Sequence, residues 1–588
     1  MNAALGVNDP YHDSSCCRID SGGVHHVELE RFTRIKMERQ NPLLGFLDLM
    51  PAAAMDGVAA IGVVEGDGLT AMFRHLMHAQ AQGMAAQGMA AEGMAAGPLT
   101  VALLQELTRL QDLPDPDPQA ALTSLGPLDR YHDRLHAFVT RALDPATALA
   151  VLGHHHAHCA NAFLSSPFER AVSISLDGGG YDFDDAGGRI TAYGAAYRCS
   201  AAPFVMERMA FRPDVTAAGA FARVCTGALG LTFGEEGTAM AMAAYGDPAR
   251  FGAALDAPWV WATHDAVRTD AGGVALAAQL DGLRRQMVTE QDRFDLAAAL
   301  QARAAAVVRT QLASVVGRND RALCLSGGLF LNCQIVGQVQ AWFPWIEHVF
   351  VPPAPYDGGL SIGAAQWMRH GVLGVAPPRP AFMPFASAPG GPLLDIVAAI
   401  RSRRLVAVPA TVASMAGRLA AGQIGARFEG GAESGRRALG HRSILADPRT
   451  VAARDRINAD IKHRAPFRPL APMVLAEAVQ DWFECPPGFA SPSMSHALRV
   501  RARAVADIPA VVHRDGTARV QTVHAALTPG LHALLMAFAD LTGVPVLLNT
   551  SFNDQEPIVQ TADQAIECFV RTGLDFLYFS ELGVVVVH

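Results

Sequence analysis

Four histidines fall within five positions in Gly153-His154-His155-His156-Ala157-His158. If this stretch is helical, His154 and His158 stand one turn apart on one face, a spacing suited to two metal ligands. The spacing equally describes a polar histidine cluster at a helix start, and it leaves both readings open. No His-Glu-x-x-His is present, so the glutamate that serves metalloproteases as general base is absent. Asp177 closes the apolar run 171–176 and supplies a hard oxygen ligand. A His/carboxylate set with an open position suits Fe(II), Mn or Zn. Gly359-Leu360-Ser361-Ile362-Gly363 matches the Gly-x-Ser-x-Gly nucleophile elbow, but a proline loop precedes it where a strand is needed. That argues against a hydrolase serine. Asp357, in the same loop just ahead of a helix, is the more interesting residue.

The second concentration of chemistry is electrostatic. From 427 to 468 the chain carries nine arginines and Lys462 against five acids, although its formal net charge is −9. Positive charge gathered this way on an acidic chain points to a phosphorylated or carboxylate ligand. A solvated helix face is the alternative, and part of 449–464 fits it. Arg437-Ala438-Leu439-Gly440-His441-Arg442-Ser443 differs, because glycine and apolar residues separate its charges as in a loop shaped around an anion. Lys36 and Lys462 are the only lysines, against 45 arginines. Lys462 thus stands where a compact ammonium is kept in preference to a planar fork. Neither lysine follows a glycine, so there is no Walker A loop.

These groups need a frame to hold them. At about 150 residues per domain, 588 residues make two to four domains. Half of the residues are hydrophobic and 18% charged, the balance of a globular protein with ample core. No uncharged apolar run approaches 18 residues and no basic-then-apolar leader opens the chain. Neither a membrane span nor a secretory signal is expected. Nine cysteines without a Cys-x-x-Cys pair exclude a disulfide scaffold and suit reduced core residues in a cytoplasm. The acidic balance disfavours nucleic acid as the main partner.

Strands are expected at 4–7 and 24–29, around a loop carrying Tyr11-His12-Asp13-Ser14-Ser15. Apolar runs at 171–176 and 322–325 end in Asp177-Gly178-Gly179-Gly180 and Ser326-Gly327-Gly328. Helical patterns fill 294–312 and 364–369. Short strands ending in glycine clusters suit an α/β fold whose strand ends cradle phosphate. Three five-residue repeats (QGMAA, QGMAA, EGMAA) at 82–96 read as a slipped surface insertion, and 113–119 as a surface loop. The segment 376–392 holds six prolines and two glycines and marks a domain boundary. A second α/β unit follows over 393–588, with strands at 544–548 and 584–587.

At these residues the chain resembles the NodU/CmcH-type O-carbamoyltransferase family, which includes the tobramycin carbamoyltransferase. The resemblance runs through Tyr11-His12-Asp13-Ser14, Glu30-Arg31-Phe32-Thr33-Arg34, His154-His155-x-x-His158 and Leu176-Asp177-Gly178. It continues in Leu325-Ser326-Gly327-Gly328-x-x-Leu331-Asn332, Asp357-Gly358 and Arg437-Ala438-Leu439-Gly440-x-Arg442-Ser443. Pro466-Phe467-Arg468-Pro469 and Leu548-Asn549-Thr550-Ser551-Phe552-Asn553 complete it.

The resemblance implies an actin/sugar-kinase-like (ASKHA) metal-binding transfer domain over 1–375. It further implies a Pro-rich linker at 376–392 and a YrdC-like domain over 393–588. In such proteins the second domain makes carbamoyl adenylate from carbamoyl phosphate and ATP, and the first transfers the carbamoyl group to a hydroxyl of a small molecule such as a natural product. Carried over, His154, His158, Asp177 and Asp357 would hold Fe(II) or another divalent metal, with Mg as a companion of ATP. Gly327, Gly328 and Asn332 would hold the adenylate. Arg437, Arg442, Lys462, Arg468, Arg519 and Asn549 would grip carbamoyl phosphate and ATP. His12 would be the general base and Lys462 a catalytic contact. The family's usual lysine in Glu-Gly-Lys-Val-Met-Gly-Leu-Ala is Thr238 here. Rival readings are a tRNA threonylcarbamoyladenosine-type enzyme and a non-catalytic nucleotide- and metal-binding regulator. The acceptor and the oligomeric state, a dimer included, are not legible.

Overall fold

The computed structural model describes residues 3–8, 13, 15–21, 23–28, 30–33, 55, 57–65, 73–74, 77, 80, 138, 141–142, 144–184, 186–378, 385 and 393–588. The QGMAA repeats, the loop at 113–119 and His12 lie outside them, as does most of 376–392.

Two five-stranded sheets share one topology. The first runs β3-β2-β1-β4-β5, with β1 Ala3–Asn8, β2 Ser15–Asp20, β3 Gly23–Glu28, β4 Val58–Val64 and β5 Ala148–Leu152. The second runs β10-β9-β6-β7-β8, with β6 Arg170–Phe183, β7 Arg189–Ala201, β8 Phe204–Arg208, β9 Ala322–Ser326 and β10 His348–Phe350. In each, the first three strands pair antiparallel, and the first pairs parallel with the fourth and the fourth with the fifth. The second sheet therefore repeats the first strand for strand.

Residues 15–20 show no apolar alternation and read as loop, yet they form β2. All but two of its residues are buried, so the period-2 signal of a one-sided strand is missing. β6 runs seven residues past Leu176, because its register on β7 shifts between Leu176 and Gly180 and then resumes. A glycine-rich bulge looked like a strand end.

Two helices meet between these sheets, His154–Leu164 and Leu360–Trp367. They approach closely because Gly363 has no side chain: a Cβ there would sit 1.9 Å from the carbonyl oxygen of Ala157. Ser361 is buried in the second helix, hydrogen-bonded to the hydroxyl of Ser15 at 2.8 Å, and is no exposed nucleophile.

The remaining strands form one nine-stranded mixed sheet, ordered β11-β19-β18-β12-β13-β17-β14-β16-β15. They span β11 Val406–Pro409, β12 Gly425–Phe428, β13 Arg442–Ala446, β14 Ala471–Leu475, β15 His496–Arg499, β16 Thr517–Val523, β17 Val546–Ser551, β18 Phe576–Phe579 and β19 Val584–Val587. β17 begins two residues later than the apolar run suggests and carries the polar Asn549-Thr550-Ser551 into the sheet. A continuous apolar core lies beneath it, including Phe538, Phe552 and Phe569. Against the Glu290–Ala313 helix of the first unit this unit packs through Phe467, whose ring meets Phe294 in that helix and Tyr245 beside it at centroid distances of 5.7 and 6.1 Å.

Candidate metal and anion sites

β5 feeds the His154–Leu164 helix directly, so its first turn opens at the joint between the two repeated sheets. His154 and His158 fall on one face, with ring centroids 4.8 Å apart. The bulge in β6 turns Asp177 toward them, and the loop after β10 brings Asp357. Donor atoms of all four lie within 4.8 Å of one another. His158 Nε2 stands 3.1 Å from Asp177 Oδ2 and 3.4 Å from Asp357 Oδ1, and His154 Nε2 stands 3.6 Å from Asp357 Oδ1. First-row divalent ions take N and O donors at about 2.0–2.2 Å, which puts neighbouring donors about 3–3.5 Å apart.

The surroundings orient these ligands. Ser326 Oγ lies 3.3 Å from His158 Nδ1 and donates to the carbonyl of Pro355 at 3.0 Å, leaving Nε2 aimed inward. Both histidine Nε2 atoms are buried without a hydrogen-bond partner among the described residues. A Cβ at Gly180 would sit 2.3 Å from the His154 ring, so only glycine clears it. Burial lowers the His158 pKa, but Asp177 and Asp357 outweigh burial and raise it to about 9. Burial alone would raise that of Asp177, whereas the two histidines hold it well below the usual carboxylate range. Two neutralising acids and two inward nitrogens make a donor set that fits a divalent cation. His155 and His156 are separate. His155 is engaged by Ser175 and the Ala192 carbonyl, and His156 stacks on Tyr197.

Gly327 and Gly328 border this cluster. Gly327 holds φ +95°, a region glycine adopts freely, and its N–H donates to Pro355 O. The Gly328 N–H donates to Asp177 Oδ2 at 3.0 Å. Asn332 caps the Cys333–Trp342 helix and pairs its amide reciprocally with Gln301.

The positive segment folds as two different things. Arg442 is buried, lies 3.5 Å above the Phe428 ring and donates to the carbonyls of Glu429 and Gly430 at 2.6 and 2.7 Å. Lys462 donates to Ser551 and Asn553. Asn549 donates to the Ala438 carbonyl at 2.8 Å and to Gln521, which in turn donates to the Leu439 carbonyl. Asn549 thus anchors the loop 435–440 at Ala438, while Arg442 braces 429–430 ahead of it and Lys462 fastens 551–553. Glu433 completes the frame, its Oε1 accepting the N–H groups of Leu439, His441 and Arg442 at 2.8–3.0 Å.

Arg437, Arg464, Arg468 and Arg519 form the other part, close enough to depress one another's pKa. Burial first, and then Arg519, lowers that of Arg437 to about 9. Burial, then Arg468 and Arg519, lowers that of Arg464 to about 9. Arg519 Nε and Arg464 Nη2 are buried without acceptors among the described residues. Glu235 is the acid that offsets part of this charge at Arg468. Half-buried guanidinium groups clustered with open donors suit a multiply charged anion. Arg437 also donates to the Leu331 carbonyl at 3.0 Å, so the cluster sits beside the turn that follows Gly327-Gly328. Arg464 was not legible as a member. It falls in the stretch that reads as a helix face, and its place inside the most positive segment was the available signal.

Models of known families match over both units: carbamoyltransferase N-terminus at residues 136–366 and carbamoyltransferase C-terminus at 416–585. Nodulation protein NolO of Bradyrhizobium diazoefficiens is 33% identical over 72% of this chain and 77% of its own length. Nodulation protein NolNO of Sinorhizobium fredii is 33% identical over 74% of this chain and 63% of its own. The 3'-hydroxymethylcephem-O-carbamoyltransferase of Streptomyces clavuligerus is 36% identical over 39% of this chain and 42% of its own. Among solved structures, HypF of T. kodakarensis superposes with a TM-score of 0.32 at 13% identity over 64% of this chain and 48% of its own, too loosely to define the fold. No helix among the described residues is long and apolar enough to cross a membrane.

Proposed function

The chain belongs to the carbamoyltransferase family and is an enzyme of that class, and from this premise we propose that it transfers a carbamoyl group from carbamoyl phosphate, by way of carbamoyl adenylate made with ATP, to a hydroxyl of a small molecule. The arginine cluster carries the reading. A site that leaves Arg519 Nε and Arg464 Nη2 without acceptors among the described residues suits phosphate groups.

The sheets that repeat one strand order support an actin/sugar-kinase-like first domain, 1–375, joined through 376–392 to a YrdC-like second domain, 393–588. Arg437, Arg464, Arg468 and Arg519 hold the phosphates where adenylate forms. Asn549 holds the loop 435–440 beside them, while Arg442 and Lys462 brace the segments 429–430 and 551–553. Gly327, Gly328 and Asn332 border the path of the adenylate toward the first domain. His154, His158, Asp177 and Asp357 would hold Fe(II) or another divalent ion, which when bound supplies Lewis-acid polarisation of a carbonyl oxygen. In the transfer step the acceptor oxygen bonds to the carbamoyl carbon. The bond from that carbon to the AMP oxygen breaks, and His12 takes the hydroxyl proton. Enclosing the adenylate between the two domains limits its loss to water.

The test is pyrophosphate release from ATP with and without carbamoyl phosphate, followed by a screen of hydroxylated acceptors for the mass of one added carbamoyl group. Release that depends on carbamoyl phosphate is expected. Release from ATP alone, or no gain of mass on any acceptor while ATP is consumed, would overturn the reading.

A further inference from the structure

Between the candidate metal centre and the arginine cluster lies β3, at the edge of the first sheet. His26 and Glu28 are two apart and face the same side. Both are buried. On one side of them is the loop 353–359, which carries Asp357. On the other is 433–437, which leads into Arg437.

Glu28 touches both. Its Oε1 accepts the hydroxyl proton of Tyr356, the neighbour of Asp357. Its Oε2 accepts the N–H of Gly435 at 3.2 Å. His26 repeats the pattern two residues earlier, with Nε2 2.7 Å from the Gly358 carbonyl and Nδ1 3.2 Å from Ser434 Oγ. Arg31 adds donors to the carbonyls of Glu433 and Gly435. Two glycines permit this fit. A Cβ at Gly358 would lie 2.4 Å from Glu28 Oε1. Gly435 holds φ +84°, and a Cβ there would lie 2.4 Å from the Pro353 carbonyl oxygen.

We propose that Glu28 is a positioning residue whose buried carboxylate, beside the parallel His26 contact, ties the Asp357 loop to the Gly435–Arg437 loop, so that anion binding at one centre orders the other. This rests on the function proposed above. A buried carboxylate shared by two donors from different loops resists movement of either, because displacing one leaves a buried oxygen without its donor. An intermediate made beside Arg437 and used beside Asp357 needs both loops in one register, since small misplacements at reacting groups are expensive in rate.

Hydrogen–deuterium exchange with inorganic phosphate as the probe tests this on wild type, Glu28→Gln and Tyr356→Phe. Tyr356→Phe keeps the ring and removes only the hydroxyl, so it reports even where Glu28→Gln folds poorly. In wild type, phosphate should slow exchange in 433–437 and, with it, in 353–359. In both variants the protection of 353–359 should weaken while that of 433–437 remains. Without phosphate, one of the two segments should exchange roughly tenfold faster in Glu28→Gln than in wild type, because the amide keeps one acceptor oxygen and loses the other. A general loss of folding would speed exchange everywhere and leave no such boundary. Protection of 353–359 that is undiminished in both variants, or a segment 353–359 indifferent to phosphate that does protect 433–437 in wild type, would overturn the tie. If phosphate protects neither segment of the wild type, the anion site itself fails. The phosphate-free rates then still decide whether Glu28 joins the two loops.

Discussion

Lys462 is joined to Asn553 twice: Nζ donates to its backbone carbonyl at 2.7 Å and to its side-chain oxygen, and further bonds reach Ser551. The end of the 457–461 turn is thereby fastened to the loop that follows β17. The preference for lysine over arginine at this position comes from the pocket. A compact ammonium fits among four oxygens where a guanidinium is too wide. Lys462→Arg should therefore lower stability by about 2–4 kcal/mol, the range for disrupting a buried charged network. Chemical denaturation of both proteins measures this. Unchanged stability with lost activity would return Lys462 to direct contact with phosphate.

His158 is fully buried, with Nε2 facing two carboxylates. Its replacement by alanine removes one of two nitrogen donors and leaves Asp177 and Asp357 to repel each other. His158→Ala should lose the divalent metal retained by wild type after dialysis, measured by elemental analysis. Carbamoyl transfer should disappear, while pyrophosphate release at the arginine cluster persists. Full metal content in the variant would remove His158 from the ligand set.

Arg519 is half-buried, with burial the first cause of its lowered pKa, and its Nε meets no acceptor among the described residues. Removing a partly desolvated charge of this kind relieves strain in the free protein while weakening the anion site. Arg519→Gln should match or exceed wild-type stability in the absence of ligand. Its affinity for carbamoyl phosphate should fall about 10–100-fold, the worth of one charge-assisted hydrogen bond. Thermal melts with increasing carbamoyl phosphate measure both. A large fall in stability without ligand would make Arg519 a structural residue.

Burial pushes the Glu433 carboxyl up, but His441 and the backbone N–H of Arg442 outweigh it and hold the folded-state value below the usual range. A depressed folded pKa means that the ionised carboxylate stabilises the fold above its unfolded value, about 4.3. That stability is lost as pH falls through the lower folded value. Glu433→Gln should be less stable than wild type at pH 7 by about 2–4 kcal/mol. The difference should shrink steadily below about pH 4.3. Denaturation curves from pH 3 to 7 check it, and a constant difference across that range would contradict the assignment.

The His/Asp cluster that could hold a metal was legible because local rules produce it. Helical periodicity alone aligns His154 with His158, and a strand run ending in acid and glycines marks Asp177. The resemblance likewise named Asp357, Arg437, Arg468 and Arg519 before any geometry was known. The sequence by itself determined which residue types were available and that the chain alternates strand and helix. It could not assign partners, because hydrogen bonding between segments hundreds of residues apart leaves no local pattern. Arg442 and Arg519 look alike in sequence. Only the folded chain separates them, surrounding one with carbonyl oxygens and leaving the other with a buried N–H that meets no acceptor among the described residues. Glu28 and Tyr356, 328 positions apart, are ordinary residues until tertiary packing joins them and sets Glu28 against Gly435. β2 and the bulge in β6 were hidden for a related reason. Strands buried on both faces lose the alternation that announces them, and a shift in register is a property of two strands rather than one.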